Sequence, residues 1–526
     1  MCKAKEESDI QKSGKPNAVP QLLCAIAVSF GATVVGGWLS FTSVAIPKMM
    51  DSNEDDDIQI DLHTGSWIAS LFFLGNIIGC LLGGYINQRI GARRAFLCSA
   101  PIAILTWAMI ALSHSLWVIL VSRVISGVVF GVFQANGKVY NAEIAHPDMR
   151  GSLGTIIGNM FALGSVYTYL SGYFVTSWRV VAWLQTVPAC LLGISVFFIP
   201  DSPYWLVERG REEDARKSLI RLRGSLYDIE EEFSEIVNKK RIKEERGKSV
   251  LETLCSRVFI IPFLRIGALM MITQWAGINV ITSYMVNIFI ESGSSIDPAI
   301  APIIVCTIQQ LMAMVSTGVL RVSPRKPLFL FCATMIACSQ AGLGTYSYLT
   351  QEPSDHVSLL TNDTILIETE AEPSYGWVPV FCVVSVNAFR TIGFMAVVQL
   401  LLAESFPTEI RYSFHFYYVY FMNVDYFVPT FCILNFLPCR AYASGICGAF
   451  TAINMFGATK LYPFFVDNLG FHGTFWMYGA VMVLEVVYGS LSIPENKGQS
   501  LVQTEDKMAS GADKVYENKV TDDEKV

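Results

Sequence analysis

The chain has 526 residues, 52% of them hydrophobic and 16% charged, with a formal net charge of −7 and a mean hydropathy of +0.43. So much apolar surface with so little charge does not fit three or four water-soluble domains. The acidic balance argues against a nucleic-acid partner, and thirteen cysteines without a C-x-x-C pair leave no spacing for a metal or redox motif, so no cofactor is expected.

Residues 1–20 are polar and lack the short apolar stretch of a cleaved signal, so they are expected to form a cytoplasmic tail. Apolar runs long enough to cross a bilayer of ~30 Å follow. They lie near 22–47, 65–86, 95–113, 116–137, 152–174 and 178–199, then near 260–290, 299–320, 327–349, 377–403, 441–464 and 472–493. Continuous runs exclude the alternating pattern of a membrane barrel and predict helices. The expected fold is an all-α polytopic membrane protein.

Between the two sets of spans, residues 201–257 mix both charge signs at helical spacing, which predicts short solvated helices in a linker. Arg89, Arg93, Arg94, Arg150, Arg325, Lys326 and Arg411 fall in alternate loops, while the loops at 51–57 and 355–372 are acidic. The basic loops are therefore expected to be cytoplasmic, together with both termini. Asn362, in the one N-x-S/T sequon, then falls outside and is a candidate glycosylation site.

Three correspondences point to duplication. Glu143 and Arg150 after span four match Glu404 and Arg411 after span ten. The stretch from Gly91 to Leu97 matches that from Pro324 to Leu330, and Ile199-Pro-Asp matches Ile493-Pro-Glu. We therefore expect a six-helix bundle over 21–200, the linker, a second bundle over 258–493 and a cytoplasmic tail over 494–526. Such halves suit a carrier whose solute site lies between them.

A neutral, hydroxyl-rich solute requires uncharged hydrogen-bonding groups at mid-membrane, where unpaired charge is costly. Span seven offers Gln274 and Asn279 around Gly277, a residue that can loosen the helix, with Tyr284 beyond. Gln309 and Gln310 on span eight and Asn454 on span eleven add further amides. Amides of this kind also serve as glue between membrane helices. Arg89, Arg94, Glu143, Arg150, Glu404 and Arg411 form a second set, expected either to latch the cytoplasmic side between the halves or simply to set orientation. Arg390, Lys138, Lys460 and Glu485 are charges within or near spans, read as paired or snorkelling groups, or as a sign of a charged solute.

Taken together, Ser122 to Gly127, Tyr140 to Gly151, Pro200 to Leu206, Gln274 to Asn279, Glu404 to Arg411 and Pro494 to Gly498 resemble the signatures of the sugar porters of the major facilitator superfamily. Within that family the chain is most similar to insect facilitated trehalose transporter-like proteins. The resemblance implies a twelve-helix carrier in the plasma membrane that works by alternating access, a sugar as its small-molecule partner, the lipid bilayer as its surroundings, and a functional monomer. It also implies sugar contacts at the positions of Gln274, Asn279, Gln309 and Asn454, and a gate at Tyr284. Gln399 and Asn159 stand at or beside two more such positions. Thr273 replaces a glutamine, Gln88 an acid, Ala92 a basic residue, Pro324 a glycine and Met455 a tryptophan; Arg321 stands where an acid is expected, and Val398-Gln399 where the family has Pro-Trp. These departures weaken the cytoplasmic charge network and remove aromatic pocket walls.

Proton-coupled members carry a carboxylate in the first span, whereas Leu22 to Pro47 contains none. A uniporter of hexose or trehalose, not an enzyme, is the resulting expectation. A sugar sensor that does not transport, or a carrier of a polyol or organic anion, are the alternatives. Residues 412–440 are rich in Phe and Tyr and interrupt the family pattern; we read them as extra sequence, an intron retained in the reading frame or an interfacial segment.

Overall fold

The computed structural model describes residues 17–51, 58–146, 149–224, 227–246, 257–351, 375–398 and 439–493. Asn362, Gln399, Glu404, Arg411 and residues 412–438 of the 412–440 stretch lie outside them, and its last two residues, Cys439 and Arg440, open the final helix.

The first half is built from α1 (Ala18–Met50), α2 (Leu62–Ile90), α3 (Ala92–Ala111), α4 (Leu116–Ile144), α5 (Arg150–Phe174) and the broken pair α6 (Trp178–Leu184) and α7 (Thr186–Phe197). Side chains start the first two helices. Asn17 accepts the N–H of Val19 at 3.0 Å, and Asp61 that of Thr64 at 3.0 Å, satisfying donors left over by the first helical turn.

Two seams in this half bring backbone against backbone. A Cβ placed on Gly75 or Gly79 of α2 would lie 2.0 or 2.2 Å from a carbonyl oxygen of α4, and one on Gly131 of α4 would lie 2.4 Å from the amide nitrogen of Cys80. Between α1 and α5, Gly36 and Gly164 meet carbonyl oxygens of the facing helix at 2.1 Å. Small residues permit this approach, which lipid alone would not drive. Arg123, buried on α4, donates to the carbonyls of Ile68 at 3.0 Å and Trp38 at 3.1 Å and lies over the Phe72 ring, joining α1, α2 and α4.

Three short helices follow: α8 (Pro203–Glu208), α9 (Glu212–Arg223) and α10 (Glu230–Arg246). Ala215, Leu219 and Leu222 turn one face of α9 inward, so this linker is docked and not merely solvated. Arg223, 1% exposed, grips Glu232 with Nε and a terminal nitrogen at 2.9 and 2.5 Å, while its other terminal nitrogen donates to the carbonyl of Ile144 at 2.7 Å. Trp205 and Arg209 reach the carbonyl of Gln88 at 3.3 and 2.5 Å. The linker thus covers the ends of α2 and α4, and we call this side the linker face.

The second half begins with a span in three pieces, α11 (Arg257–Trp275), α12 (Ile278–Ser283) and α13 (Met285–Glu291). Then come α14 (Ala301–Val322), α15 (Arg325–Gln351), α16 (Val378–Phe389) with a π-turn over Arg390–Phe394, and α17 (Cys439–Ser492). A break at Gly470, φ 71°, divides α17 into two limbs. The first limb runs antiparallel to α2: Gly448 faces Cys80 near mid-span, and Lys460 reaches Ser66. The architecture is the twelve-span, two-lobed helical fold that the sequence predicts. Span six is broken at Gln185 and span seven at Gly277 and Tyr284, where the hydropathy shows continuous runs.

Candidate functional site

The break in span seven creates the site. Gly277 takes φ +74°, a left-handed conformation that side chains with a Cβ resist. The Tyr478 ring occupies the space beside it, 2.4 Å from where a Cβ would stand. The carbonyl of Ala276, which the break removes from the helical ladder, accepts the side-chain amide of Gln340 at 2.7 Å. A broken helix persists inside a membrane protein only when its freed backbone groups find such partners.

Two amides flank the break. Asn279 Nδ2 donates to Gln274 Oε1, tying α11 to α12. Gln274 is buried, and its Nε2 has no hydrogen-bond partner among the described residues. A buried amide left in that state costs ~1–3 kcal/mol, and a solute hydroxyl that accepts from it removes the cost. On α14 and α5, Gln310 Nε2 donates to Asn159 Oδ1 at 2.8 Å across the two halves, while Gln310 Oε1 also lacks a partner among the described residues. Gln274 thus offers a buried open donor and Gln310 an open acceptor, on separate spans and both uncharged.

The other expected residues take different places. Asn454 is buried with both ends engaged: its Oδ1 accepts from Trp275 Nε1 at 3.1 Å and its Nδ2 donates to the Phe450 carbonyl at 2.8 Å. It holds the tryptophan at the end of α11. Gln309 is half-buried on α14, one residue from the amide that spans the halves. Tyr284 is buried against Tyr462, with ring centroids 4.6 Å apart, and donates its hydroxyl to the Thr459 carbonyl at 3.2 Å. Nearby, Tyr169 of the first half donates to the Thr282 carbonyl at 3.3 Å, so the halves touch directly around α12 and α13. Thr273, in place of a glutamine, turns its hydroxyl to the buried Glu485 carboxylate at 2.5 Å.

On the linker face, Ser202 donates to Glu143, Arg94 lies 5.8 Å from the Trp205 ring and Arg89 5.4 Å from the Tyr85 ring. Arg150 opens α5. Each of these contacts stays within the first half and its linker.

Sequence reasoning missed Gln340, Trp275 and Arg223, and it took Gln309 as the solute contact where Gln310 makes the bond across the halves. Adjacent helical residues point about 100° apart, so only one of two neighbouring glutamines can face the other half. For Arg223 a signal was present: apolar residues at 215, 219 and 222 mark α9 as amphipathic.

The family described as "Sugar (and other) transporter" matches residues 18–438. The facilitated trehalose transporter of Culex quinquefasciatus is 29% identical over 490 residues, covering 93% of this chain and 86% of that one. That of Apis mellifera ligustica is also 29% identical, over 495 residues, covering 93% of this chain and 88% of that one. Among solved structures, a partially occluded inward-open conformation of the E. coli xylose transporter XylE superposes with a TM-score of 0.68 at 19% identity, covering 92% of this chain and 100% of that one. The same proton:xylose symporter bound to 6-bromo-6-deoxy-D-glucose gives 0.67 at 20% identity, covering 92% of this chain and 98% of that one. At such identity these structures speak to the fold alone.

Proposed function

We propose that this chain, which belongs to the sugar (and other) transporter family of the major facilitator superfamily, carries a neutral sugar, hexose or trehalose, down its gradient by alternating access. The observations that carry this reading are two uncharged open amide ends, Gln274 Nε2 beside the broken helix and Gln310 Oε1 on the next span where it meets the first half. Hydroxyl groups accept and donate in one geometry, so an amide donor and an amide acceptor suit them. The wider substrate surface in this reading includes Asn279, Asn159, Gln309 and Gln399, with Asn454 acting through Trp275 and Tyr284 closing the far side. Arg89, Arg94, Glu143, Arg150, Glu404 and Arg411 serve the cytoplasmic side, where the linker and both termini lie, and Asn362 lies outside. The carrier sits in the plasma membrane and works as a monomer.

Uniport is favoured because α1 contains no Asp or Glu to take up a proton beside the solute. This reading takes trehalose as the first candidate solute, because the similar insect proteins are named facilitated trehalose transporters. One observation favours a second reading: Arg390 is buried on the π-turn of span ten, where an anionic solute would find a counter-charge.

Purified protein in liposomes should take up labelled trehalose or glucose saturably, with a protonophore leaving the rate unchanged. Gln274→Ala should raise the half-saturation concentration roughly tenfold. Uptake no faster than in protein-free liposomes would sink the reading, and loss of uptake with the protonophore would replace uniport by symport. Selective loss of anion flux in Arg390→Gln would favour the second reading.

A further inference from the structure

The two halves also meet at the face opposite the linker, through a cluster that no substrate argument uses. His63, Ser66 and Trp67 lie at i, i+3 and i+4 on the first turns of α2 and form one stripe. Phe456, Lys460 and Asp467 form the facing stripe on the first limb of α17. His63 Nε2 stands 2.8 Å from Asp467 Oδ2. Lys460 Nζ donates to Ser66 Oγ at 2.7 Å and to the His63 carbonyl at 3.4 Å, and it lies 4.0 Å from the centre of the Trp67 ring. Trp67 in turn packs against Phe456 at 6.5 Å.

We propose that this cluster is a proton-sensitive latch: protonation of His63 tightens its bond to Asp467 and favours the conformation in which the start of α2 and the end of the first limb of α17 are joined. The inference rests on the alternating-access reading above, because joining and parting of these helix ends is what opens that face.

The charge balance supports the sign. With neutral histidine, Asp61, Asp467 and Lys460 sum to −1, and a protonated His63 brings the cluster to zero. Asp61 is ionised across the relevant range, since the hydroxyl and backbone N–H of Thr64 hold its carboxyl below the usual carboxylate value. It caps α2 itself and so faces His63 whether the halves are joined or parted. The acidic run from Glu54 to Asp57 and Asp51 at the end of α1 precede the same helix in sequence. Lys460 opposes a second positive charge, but its ammonium is bound by Ser66 and the Trp67 face, whereas Asp467 touches the imidazole directly. Glu291 is the last residue of α13. Asp467 is therefore the carboxylate in contact with His63 that the opening movement removes.

Imidazole is the side chain that ordinarily changes charge between about pH 5 and 8. His63 and Asp467 are 58% and 52% exposed, so bulk protons reach them and water screens the pair. Exposed pairs of this kind shift an equilibrium by about two- to fivefold, which biases a carrier without locking it.

Spin labels carried on genetically encoded keto residues at Gln59 and Leu469, both exposed and outside the latch, allow the distance between the two helix ends to be measured in nanodiscs. Lowering the pH from about 7.5 to 5.5 should raise the joined-to-parted ratio about two- to fivefold. His63→Gln and Asp467→Asn should each flatten that response. His63→Arg should hold the ratio near its acid value at every pH while Asp467 is present. A response that persists in His63→Gln, or a wild-type ratio that does not move with pH, overturns the latch. The readout needs no solute: failed sugar flux with an intact pH response would sink the proposed function and leave the latch standing.

Discussion

The two halves carry matching sequence signatures and differ in how they are packed. In the first, α2 and α4, and α1 and α5, meet through glycines seated on the facing backbone. In the second, among the described residues, the packing is mixed: a Cβ on Gly344, Gly393 or Gly489 would lie 2.7, 2.7 or 2.3 Å from the nearest side-chain atom, whereas one on Gly318 would meet nothing within 4 Å and those on Gly342 and Gly457 would stand 3.6 and 3.5 Å from their nearest neighbours. The second half also carries breaks at Gly277 and Tyr284, the π-turn at Arg390 and the turn at Gly470. The first half thus has seams closed backbone to backbone, with the linker fastened to it by Arg223 and one break at Gln185, and the second carries most of the interruptions. Tight seams transmit rigid motion, and broken helices absorb it.

The strongest way to break this comparison is to add bulk to each half. Gly131→Leu would place a side chain 2.4 Å from the Cys80 amide nitrogen, against backbone that cannot step aside. We expect a loss of at least ~3 kcal/mol, seen as collapse of the monodisperse peak in size exclusion and a large fall in melting temperature. Gly318→Leu, with open space around it, should melt like the parent. Equal tolerance at the two positions would remove the distinction between the halves.

Next in size is the break itself. Gly277→Ala forces a Cβ into a left-handed conformation and onto the Tyr478 ring, a strain of ~1–3 kcal/mol. The helix can relieve it by straightening, which would move Gln274 and Asn279 apart. Uptake should fall at least about tenfold while the folded yield is largely kept. A variant that transports normally would show that the break is not needed for the cycle.

Much of this architecture was legible in advance because membrane helices must satisfy their own backbone and so declare themselves as long apolar runs. The predicted run at 65–86 and the helix Leu62–Ile90 differ only by their polar ends. The loosening glycine in span seven was legible as well, since a Gly between two amides is out of place in a plain anchor. What stayed hidden depends on partners distant in the chain. Arg223 looked like one charge among many, yet its environment is set by Glu232 and the end of α4. His63 and Asp467 lie 404 residues apart and belong to no motif. The π-turn at Arg390 has no sequence signature, because one extra residue in a helical turn leaves composition unchanged.

The smallest expected effect sharpens the comparison at the point where the halves touch. Gln310 joins α14 to α5 through Asn159 and leaves Oε1 open, so it can act as a tie between halves or as a contact for the solute. Gln310→Leu keeps bulk and removes both roles, at a cost of ~0.5–1.5 kcal/mol for one hydrogen bond. If the oxygen receives a solute hydroxyl, the half-saturation concentration should rise roughly two- to tenfold with the maximal rate unchanged. If the amide is only a tie, Asn159→Leu should reproduce its effect and the maximal rate should move instead. Measuring both constants for both variants separates a site that binds sugar on the second half from a seam that merely holds the two halves together.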